Sequence, residues 1–185
     1  SVALGSGGTR TYGYDATGNT IQVVDPTQQL DLLYDASGRL SKLRSVPSQA
    51  SSDLTYDSRG FLATAQADDN TCSPTRTAPV YSSDGNLHRW AHLNAANPVA
   101  APLTISDVLY FAGRPLVLYG ESGATSTLTY LTTDHLGTPT IATRDNGTVL
   151  WQGGFEPFGN DWNGAQAAGV YLRFQGQWAD ASWST

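Results

Sequence analysis

The chain has 185 residues, a formal net charge of −6 and 39% hydrophobic residues. The 16 acidic residues comprise 14 Asp and 2 Glu, whereas the 10 basic residues comprise 9 Arg and the single Lys42. The negative charge disfavours a nucleic-acid footprint, and no apolar run approaches the ~20 residues of a membrane helix. One cysteine, Cys72, excludes an internal disulfide framework and a zinc-finger spacing, so we expect an inert thiol beside Pro74.

The choice of residue types favours strands and turns over helices. The chain has 19 Gly and 9 Tyr but no Met, in addition to its scarcity of Lys and Glu. Glu, Lys and Met are favoured within helices, whereas Asp and Gly are favoured in turns. We therefore predict an all-β fold, as one domain or as one section of a larger architecture.

Four segments of the first half share a pattern in which a Tyr is followed four residues later by a Gly. Three of the four Tyr residues are followed directly by Asp, and in the last segment Ser82 takes that place. The pattern comprises Tyr14, Asp15 and Gly18; Tyr34, Asp35 and Gly38; Tyr56, Asp57 and Gly60; and Tyr81 and Gly85. Asp can bond the amides of a turn and Gly can supply a positive φ, so each repeat predicts one β-hairpin.

The residues between these turns predict the strands. Apolar alternation over residues 21–23 and 30–34 predicts two strands of one hairpin, with a return turn at Asp25-Pro26. In the second half, alternation over 128–132 and 149–155 predicts further strands, Asn146-Gly147 predicts a hairpin turn, and residues 170–174 predict a last strand. Residues 66–79 and 94–103 lack periodicity and predict loops. Residues 87–96 could form one short helix, because no Gly or Pro interrupts them.

The four units, Tyr-Asp-x-x-Gly with Ser82 in place of the Asp in the last, resemble the YD repeats of the RHS (rearrangement hot spot) superfamily. The second half resembles the repeat-associated core of the same family in the order and spacing of its motifs. Its elements are Gly113, Arg114 and Pro115; Asp134, His135, Gly137 and Pro139; Trp151; Phe155, Phe158 and Gly159; and Gly176 and Gln177. The resemblance divides the chain into YD-repeat hairpins (1–93), a loop or insertion (94–109) and the core segment (110–185).

This resemblance implies successive antiparallel hairpins that form a curved, open sheet, as a section of a hollow β-shell. In bacterial polymorphic toxins and insecticidal toxin complexes of the family, the shell encloses a C-terminal toxin domain. The implied protein is bacterial and is secreted or located at the cell surface, and its partners are the rest of the shell and the enclosed toxin. The family's Asp-Pro-x-Gly-Leu self-cleavage motif does not follow Asp180, so self-cleavage is not assigned to these residues.

Geometry indicates how much of a shell the chain can supply. A cargo domain of about 100 residues needs a surrounding sheet of roughly 170 Å circumference, or around 35 strands spaced ~4.8 Å apart. Seven or eight hairpins supply roughly 14 to 16 strands, so we expect less than half a turn from this chain alone. Open sheet edges would recruit further strands from a longer chain, from other fragments, or from copies of the chain in an oligomer or filament.

Two groups of ionisable residues could support chemistry, but we favour a structural role for each. Asp134 and His135 could form an acid/base pair, yet no Ser or Cys nucleophile signature accompanies them and a turn is the simpler interpretation. His88 and His92 have the i, i+4 spacing of a helical metal pair, but position 89 is Arg89 and no third ligand is evident. Packed or solvated histidines are therefore favoured.

Four other patterns have equally plain structural interpretations. Asp68-Asp69-Asn70 lacks the spacing of a calcium loop. Glu156 and Asp161 lie near aromatic residues in the manner of sugar-handling sites, but Glu156 falls inside the family's Phe-x-Pro-Phe-Gly element, where turn support is simpler. Asn146-Gly147-Thr148 has the form of a glycosylation acceptor, although a hairpin turn is favoured. Rows of exposed Tyr and Trp could stack on glycans, although packing across neighbouring strands is favoured.

We therefore expect a non-enzymatic structural segment of a β-shell, with neither cofactor nor metal, that helps to enclose a toxin or other cargo. The alternative is an extracellular or cell-surface adhesion module that binds glycans or assembles into filaments through its open edges. An enzyme built on the residue pairs above is the third hypothesis.

Overall fold

The computed structural model describes residues 2–3, 8–46, 48–68, 75–97, 100–155, 161–173 and 176–179. The predicted all-β fold, an open sheet of successive antiparallel hairpins, is confirmed. The chain divides into two compact units, Ser1–Ala78 with Leu93–Ala101, and Pro79–His92 with Pro102–Thr185. No helix in the described part of the chain has the length and apolarity needed to cross a membrane.

The first unit consists of antiparallel hairpins whose strands pair in chain order. Its strands are β1 (Val2–Ala3), β2 (Thr9–Tyr14), β3 (Thr20–Val24), β4 (Gln29–Tyr34), β5 (Leu40–Val46), β6 (Ser51–Tyr56), β7 (Leu62–Asp68) and the first part of β8 (Thr75–Tyr81). Pairing shifts by one residue just before each of Tyr14, Tyr34 and Tyr56. Each repeat therefore has a β-bulge opposite its Tyr, where the second strand of the hairpin carries one extra residue (Ile21, Ser41 or Ala63).

The second unit contains the longest described strands and a hydrophobic core. Its strands are β9 (Leu87–Asn94, all but the last two residues), β10 (Thr104–Phe111), β11 (Arg114–Ser122), β12 (Thr125–Thr133), β13 (Pro139–Thr143), β14 (Val149–Gln152) and the short pair β15 (Gly154–Phe155) and β16 (Asp161–Trp162). One face of β10–β14 is covered by residues 165–172. The buried cluster comprises Val108, Leu118, Leu131, Ala142, Trp151, Ala165, Val170 and Leu172.

Burial is distributed unevenly between the two units. Among the described residues of the first unit, Ala65 is the one buried hydrophobic side chain, beside the buried polar Ser52 and Thr77. A sheet with no covering layer leaves its side chains half-exposed on both faces, so hairpin geometry has a larger share in specifying this unit than core packing has.

The structure corrects three expectations about secondary structure. Residues 87–96 do not form a helix, because Leu87–Asn94 pairs with β10 in a ladder that places Trp90 opposite Ser106. The predicted loops are shorter than expected, since β7 continues to Asp68, β8 begins at Thr75, and 104–109 of the expected insertion belong to β10. Among the described residues, 170–173 do not form the strand predicted over 170–174, because Leu172 makes only an isolated bridge with Trp178, and Phe174 lies outside the described residues.

Candidate functional site

The repeated aspartate closes each turn with its own side chain. In the first repeat, the Asp15 carboxylate accepts hydrogen bonds from the amides of Thr17 and Asn19, both at 2.9 Å. The Asp15 amide donates to the Asn19 carbonyl at 2.9 Å, and the Gly18 amide donates to the Asp15 carbonyl. Gly18 has φ 91°, a left-handed conformation that other residues adopt at a cost. One carboxylate and one glycine thus define the whole turn.

The same five-residue closure recurs in both units. The carboxylates of Asp35, Asp57 and Asp134 accept hydrogen bonds from the amides two and four residues later, at 2.8–3.0 Å. In the fourth repeat, the Ser82 hydroxyl takes the place of the carboxylate and accepts a hydrogen bond from the Asn86 amide at 3.2 Å. The turn chemistry expected from the sequence is therefore present at these positions.

Asp134 and His135 illustrate how the turn uses a residue that could have been catalytic. Burial acts to raise the pKa of Asp134, but hydrogen bonds from the Thr138 and Leu136 amides outweigh it, and the pKa is lowered. His135 is exposed beside the turn. A carboxylate held ionised by two amides is a poor proton acceptor, so the arrangement favours the structural role.

The turn aspartates predict a specific dependence of stability on pH. Hydrogen bonds lower the pKa of Asp15 and of Asp25 from 3.8 to about 2. The largest contribution comes from the Thr17 hydroxyl at Asp15 and from the Thr27 hydroxyl at Asp25. A carboxyl group whose pKa is lower in the folded state contributes its full stabilisation when the pH is above its unfolded-state pKa. That stabilisation is lost as the pH falls through the folded-state pKa. We expect the thermal midpoint to be flat from about pH 7 to 5 and to fall between about pH 4 and 2.

The variant Asp15→Asn is the control for this pH profile, because it keeps the side-chain shape and removes the titration. It should flatten part of the fall below about pH 4. A midpoint that already drops steeply between about pH 7 and 5 would contradict the role of the carboxylates, since they remain ionised there.

Tyrosines of successive repeats are linked to the turn before them. The Tyr34 hydroxyl donates to the Thr20 carbonyl at 2.8 Å, and the Tyr56 hydroxyl donates to the Leu40 carbonyl at 2.7 Å. In both cases the acceptor lies six residues after the Tyr of the preceding repeat. The Arg39 guanidinium also lies over the Tyr56 ring, 4.9 Å from its centroid. We call the hydrogen bond from a repeat tyrosine to the main-chain carbonyl of the preceding hairpin the tyrosine link. It joins one hairpin to the next, whereas the sequence predicted only aromatic packing.

Removing one tyrosine hydroxyl measures the strength of this link. Tyr56→Phe should cost about 0.5–1.5 kcal/mol of unfolding free energy, the usual net value of one hydrogen bond. Tyr14→Phe is the matched control, because Tyr14 is 60% exposed and its hydroxyl has no hydrogen bond within the described residues. Urea denaturation of both variants gives the comparison, and equal losses would show that the Leu40 contact does not stabilise the fold.

Three motif elements of the second half meet at glycines. Gly137 and Gly176 both have a positive φ, at 87° and 73°. A Cβ added at Gly176 would lie 3.7 Å from Pro115 Cγ and 3.8 Å from the Gly137 carbonyl oxygen, and one added at Gly137 would lie 3.5 Å from Pro115 Cδ. The Gly-Arg-Pro, Asp-His-Leu-Gly and Gln-Gly-Gln segments, which are far apart in sequence, are therefore adjacent in the fold.

A buried arginine holds the covering segment in place. Arg173 is 8% exposed, and its guanidinium donates to the carbonyls of Val170 at 2.7 Å and Leu172 at 3.3 Å. It also lies over the Phe155 ring, 4.8 Å from the centroid, and that ring is 5.6 Å from Trp151. The sequence analysis assigned no role to Arg173. Its signal was a charged residue between the apolar Leu172 and Phe174.

Aromatic stacking fixes the end of the described chain. The Trp178 ring stacks on both Trp90 and Tyr171, with both centroid distances at 5.3 Å and interplanar angles of 23° and 26°. Because two neighbouring rings stack on it, Trp178 is a packing residue. This part of the second unit agrees with the preference for aromatic packing over a row of free ring faces.

The histidine pair does not have metal-site geometry. His88 and His92 lie on strand β9, where four residues span about 13 Å, whereas one helical turn would bring them together. His88 packs instead against Tyr110, with a centroid distance of 5.4 Å. Across the described residues, no three His, Cys, Asp or Glu side chains gather into a cluster that could hold a metal ion.

Several other candidates cannot be placed in this way. Cys72, Asp69, Asn70, Glu156 and the Phe158-Gly159 pair lie outside the described residues. The Glu156–Asp161 pair therefore stays a prediction. Asn146-Gly147 forms the β13–β14 turn as predicted, since the Gly147 amide donates to the Arg144 carbonyl and the Thr148 amide donates to the Asn146 side chain.

A cavity of ≈ 720 Å³ lies in the second unit against β10–β12. Small residues such as Ser106, Gly120 and Thr127 line it, and Trp178 contributes an aromatic side. The charged side chains that line the cavity are those of Arg144 and Asp145, both of which are exposed. No imidazole or thiol accompanies them among those residues, so the lining lacks the usual nucleophile-and-base arrangement.

No protein-family model and no curated protein matches the sequence. Solved structures do match. A crystal structure of TcdB2-TccC3-TEV aligns with 95% of this chain at 16% identity, with a TM-score of 0.57. The two share a fold. The alignment covers 11% of that chain, so this chain spans about a tenth of its length. A crystal structure of TcdB2-TccC3-Cdc42 aligns with 96% of this chain at 13% identity and a TM-score of 0.40.

Proposed function

We propose that the chain is a structural segment of an RHS-type β-shell that helps to enclose a toxin or other cargo. The observation that supports this most directly is the repeated hairpin unit, in which Asp15, Asp35 and Asp57 close their turns and Tyr34 and Tyr56 link their hairpins to the preceding one. Such a unit can be added indefinitely, because each repeat needs only its neighbour. A wall of any length can be built from it.

The fold match supports the same proposal from a second direction. The TcdB2-TccC3-TEV chain contains this fold over a stretch that is about a tenth of its length. A segment of this size in a much longer chain is what the strand arithmetic requires, since some 35 strands are needed for one turn around a domain-sized cargo. The proposed partners are the remainder of such a shell and the enclosed domain, in a bacterial protein that is secreted or displayed at the cell surface.

A structural role without catalysis is also supported by how the reactive side chains are used. Asp134 closes a turn, His88 packs on Tyr110, and Arg173 binds main-chain carbonyls. Each of these three side chains thus has a local structural role. We propose that the segment forms part of the shell wall and does not catalyse a reaction.

Protease protection of the cargo tests the proposal. We would purify the protein from its producing cells, add a broad-specificity protease, and follow any enclosed polypeptide by mass spectrometry. An intact wall should protect that polypeptide. Gly60→Val should accelerate its cleavage about tenfold, because a left-handed φ costs a branched residue about 1–2 kcal/mol. Gly60 has φ 88°, whereas the neighbouring Ser58 is exposed and Ser58→Val serves as the control.

Two results would overturn the proposal. One is that protease treatment of the native protein leaves no second segment or polypeptide protected from cleavage. The other is a cargo that is cut as fast inside the native assembly as after the assembly has been opened by denaturant.

A further inference from the structure

A row of small residues crosses the sheet of the second unit. The strand register pairs Ser106 with Gly120 and Gly120 with Thr127, so these residues lie side by side on β10, β11 and β12. Trp90 of β9 pairs with Ser106 and ends the row on one side. Ser106, Gly120 and Thr127 line both the ≈ 720 Å³ cavity and a second cavity of ≈ 300 Å³. The two cavities therefore share one floor.

A second row of hydroxyl side chains lies beside the first. Thr104, Ser122 and Thr125 pair in register two residues away along the same strands, and all three line the smaller cavity. Because residues two apart on a strand point to the same face of a sheet, both rows face the same way. Five hydroxyl side chains and one glycine thus lie together on one sheet face.

The hydroxyls of this floor keep their hydrogen-bonding capacity. In the part of the chain that the structure describes, none of the five makes a hydrogen bond. The neighbouring strand hydroxyls of Thr55 and Thr64, by contrast, bond to each other at 2.7 Å. Thr125 and Thr127 are exposed and Ser106 is half-buried, so a ligand can reach them. Each hydroxyl offers one donor and two acceptor sites, which suits a ligand that itself carries hydroxyl groups.

Gly120 leaves space at the centre of the floor. It lies within β11 and does not have a positive φ, so its backbone conformation does not require glycine. A Cβ added at Gly120 would lie 2.8 Å from Thr127 Oγ1, closer than a real side chain approaches. Glycine inside a strand often marks a place where a ligand or another backbone comes close to the sheet. The space above Gly120 is therefore the natural centre of a binding site.

Aromatic rings form the wall beside this floor. Trp90, Tyr171 and Trp178 line the smaller cavity, and Trp178 also lines the larger one. Trp178 stacks on both other rings, which fixes the wall in place. Trp90 is 4% exposed, yet its indole N–H has no acceptor among the described residues. A buried indole N–H usually has a partner, and a ligand in the cavity could supply it. We call the two rows together with this aromatic wall the hydroxyl groove.

The ionisable side chains around the groove do not favour an anionic ligand. Glu121 and Asp145 contribute carboxylates, Arg144 contributes a guanidinium, and His92 contributes an imidazole. Sulfate, phosphate and carboxylate groups are recognised by clustered cations, above all by Arg pairs. A neutral sugar fits the lining better, because its hydroxyls can bond the floor while its C–H faces pack against the aromatic wall.

We propose that the hydroxyl groove binds a neutral oligosaccharide. The sugar lies over Gly120, exchanges hydrogen bonds with Ser106 and Thr127, and packs against Trp178. Cavities of ≈ 720 and ≈ 300 Å³ fall in the range of small-molecule sites, which is about 300–1,000 Å³. This site goes beyond the proposed wall function and does not depend on what the wall encloses.

Calorimetric titration with defined sugars tests the proposal. We would titrate the full chain with cellotriose, maltotriose and chitotriose, and with a heparin tetrasaccharide as the anionic comparison. At least one of the neutral trisaccharides should bind more tightly than the heparin fragment does. Failure of all three to bind at millimolar concentration would overturn the proposal, as would tighter binding of the heparin fragment.

Two hydroxyl deletions locate the site. Ser106→Ala combined with Thr127→Val removes two hydroxyls and keeps nearly the same side-chain shape. Each lost hydrogen bond should weaken binding about fivefold, so the pair should weaken it roughly 25-fold. Thr132→Val is the matched control, because Thr132 is exposed on the same strand β12 but on the opposite face. Equal affinities of the double variant and this control would overturn the proposal.

The glycine and the indoles provide independent measurements. Gly120→Ala should lower the affinity at least about tenfold, because the added methyl group occupies the floor and displaces the Thr127 hydroxyl. Circular dichroism checks that this variant is folded. In NMR spectra of the original chain, the sugar should shift the indole N–H signals of Trp90 and Trp178 and leave that of the core residue Trp151 unchanged. A shift at Trp151 alone would place the sugar elsewhere and overturn the proposal. Cargo protection is measured without sugar, so either proposal can fail alone.

Discussion

Alanine in place of Trp151 is expected to lower the free energy of unfolding by about 3–5 kcal/mol. The indole is 4% exposed on β14, directly across the strand pair from Ala142, which is fully buried. Phe155 packs against it with a centroid distance of 5.6 Å. Alanine would leave a cavity that the surrounding sheet cannot close, because paired strands hold their spacing. Urea denaturation followed by far-ultraviolet circular dichroism measures the loss.

The matched control is another aromatic residue of the same unit. Phe111 is 74% exposed at the end of β10, so Phe111→Ala should change the free energy by less than about 0.5 kcal/mol. Trp151→Phe should fall between the two, since a smaller ring fills part of the space. If the Trp151 and Phe111 variants lost equal stability, the covered face of β10–β14 would not be the energetic centre of the unit.

The turns could be predicted from sequence because everything that specifies them is local. In the second repeat, Asp35 exchanges hydrogen bonds with Arg39 and accepts one more from each of Ser37 and Gly38. The donors, the acceptors and the residue with positive φ all lie within five positions. A pattern read along the chain therefore contains the whole turn.

Features that depend on distant partners could not be predicted in this way. The stretch from Leu87 to Asn94 permits a helix by composition, but its ladder with β10 decides for a strand. Because His88 and His92 lie on a strand, their i, i+4 spacing does not bring the two imidazoles together as it would on a helix. Sequence periodicity cannot show which segment a strand will meet.

The tyrosine link is a similar case. Tyr56 was recognised as a repeat position, yet its acceptor, the Leu40 carbonyl, lies 16 residues earlier. A main-chain carbonyl has no sequence signature, so only the register of the two strands could identify it. The repeat was predicted correctly, and the contact that joins repeats was not.

Methionine in place of Arg173 is expected to cost about 2–4 kcal/mol of unfolding free energy, although it keeps the length and apolar stem of the side chain. A hydrogen bond from a charged donor contributes about 1.5–3 kcal/mol, and a desolvated cation over an aromatic ring contributes up to ~2 kcal/mol. Arg173 makes both, to the Val170 carbonyl and to the Phe155 ring. The loss is measured by urea denaturation, as for Trp151.

Arg144→Met is the control, because Arg144 is exposed on the β13–β14 turn and the same substitution there should cost less than about 0.5 kcal/mol. Arg173→Lys separates charge from geometry. Lysine keeps the cation but not the planar fork, so it should restore less than half of the loss if the carbonyl contacts dominate. Equal stability of the Arg173→Met and Arg144→Met variants would contradict this. It would mean that the hydrophobic contacts of Val170 and Leu172 alone hold the covering segment on the sheet.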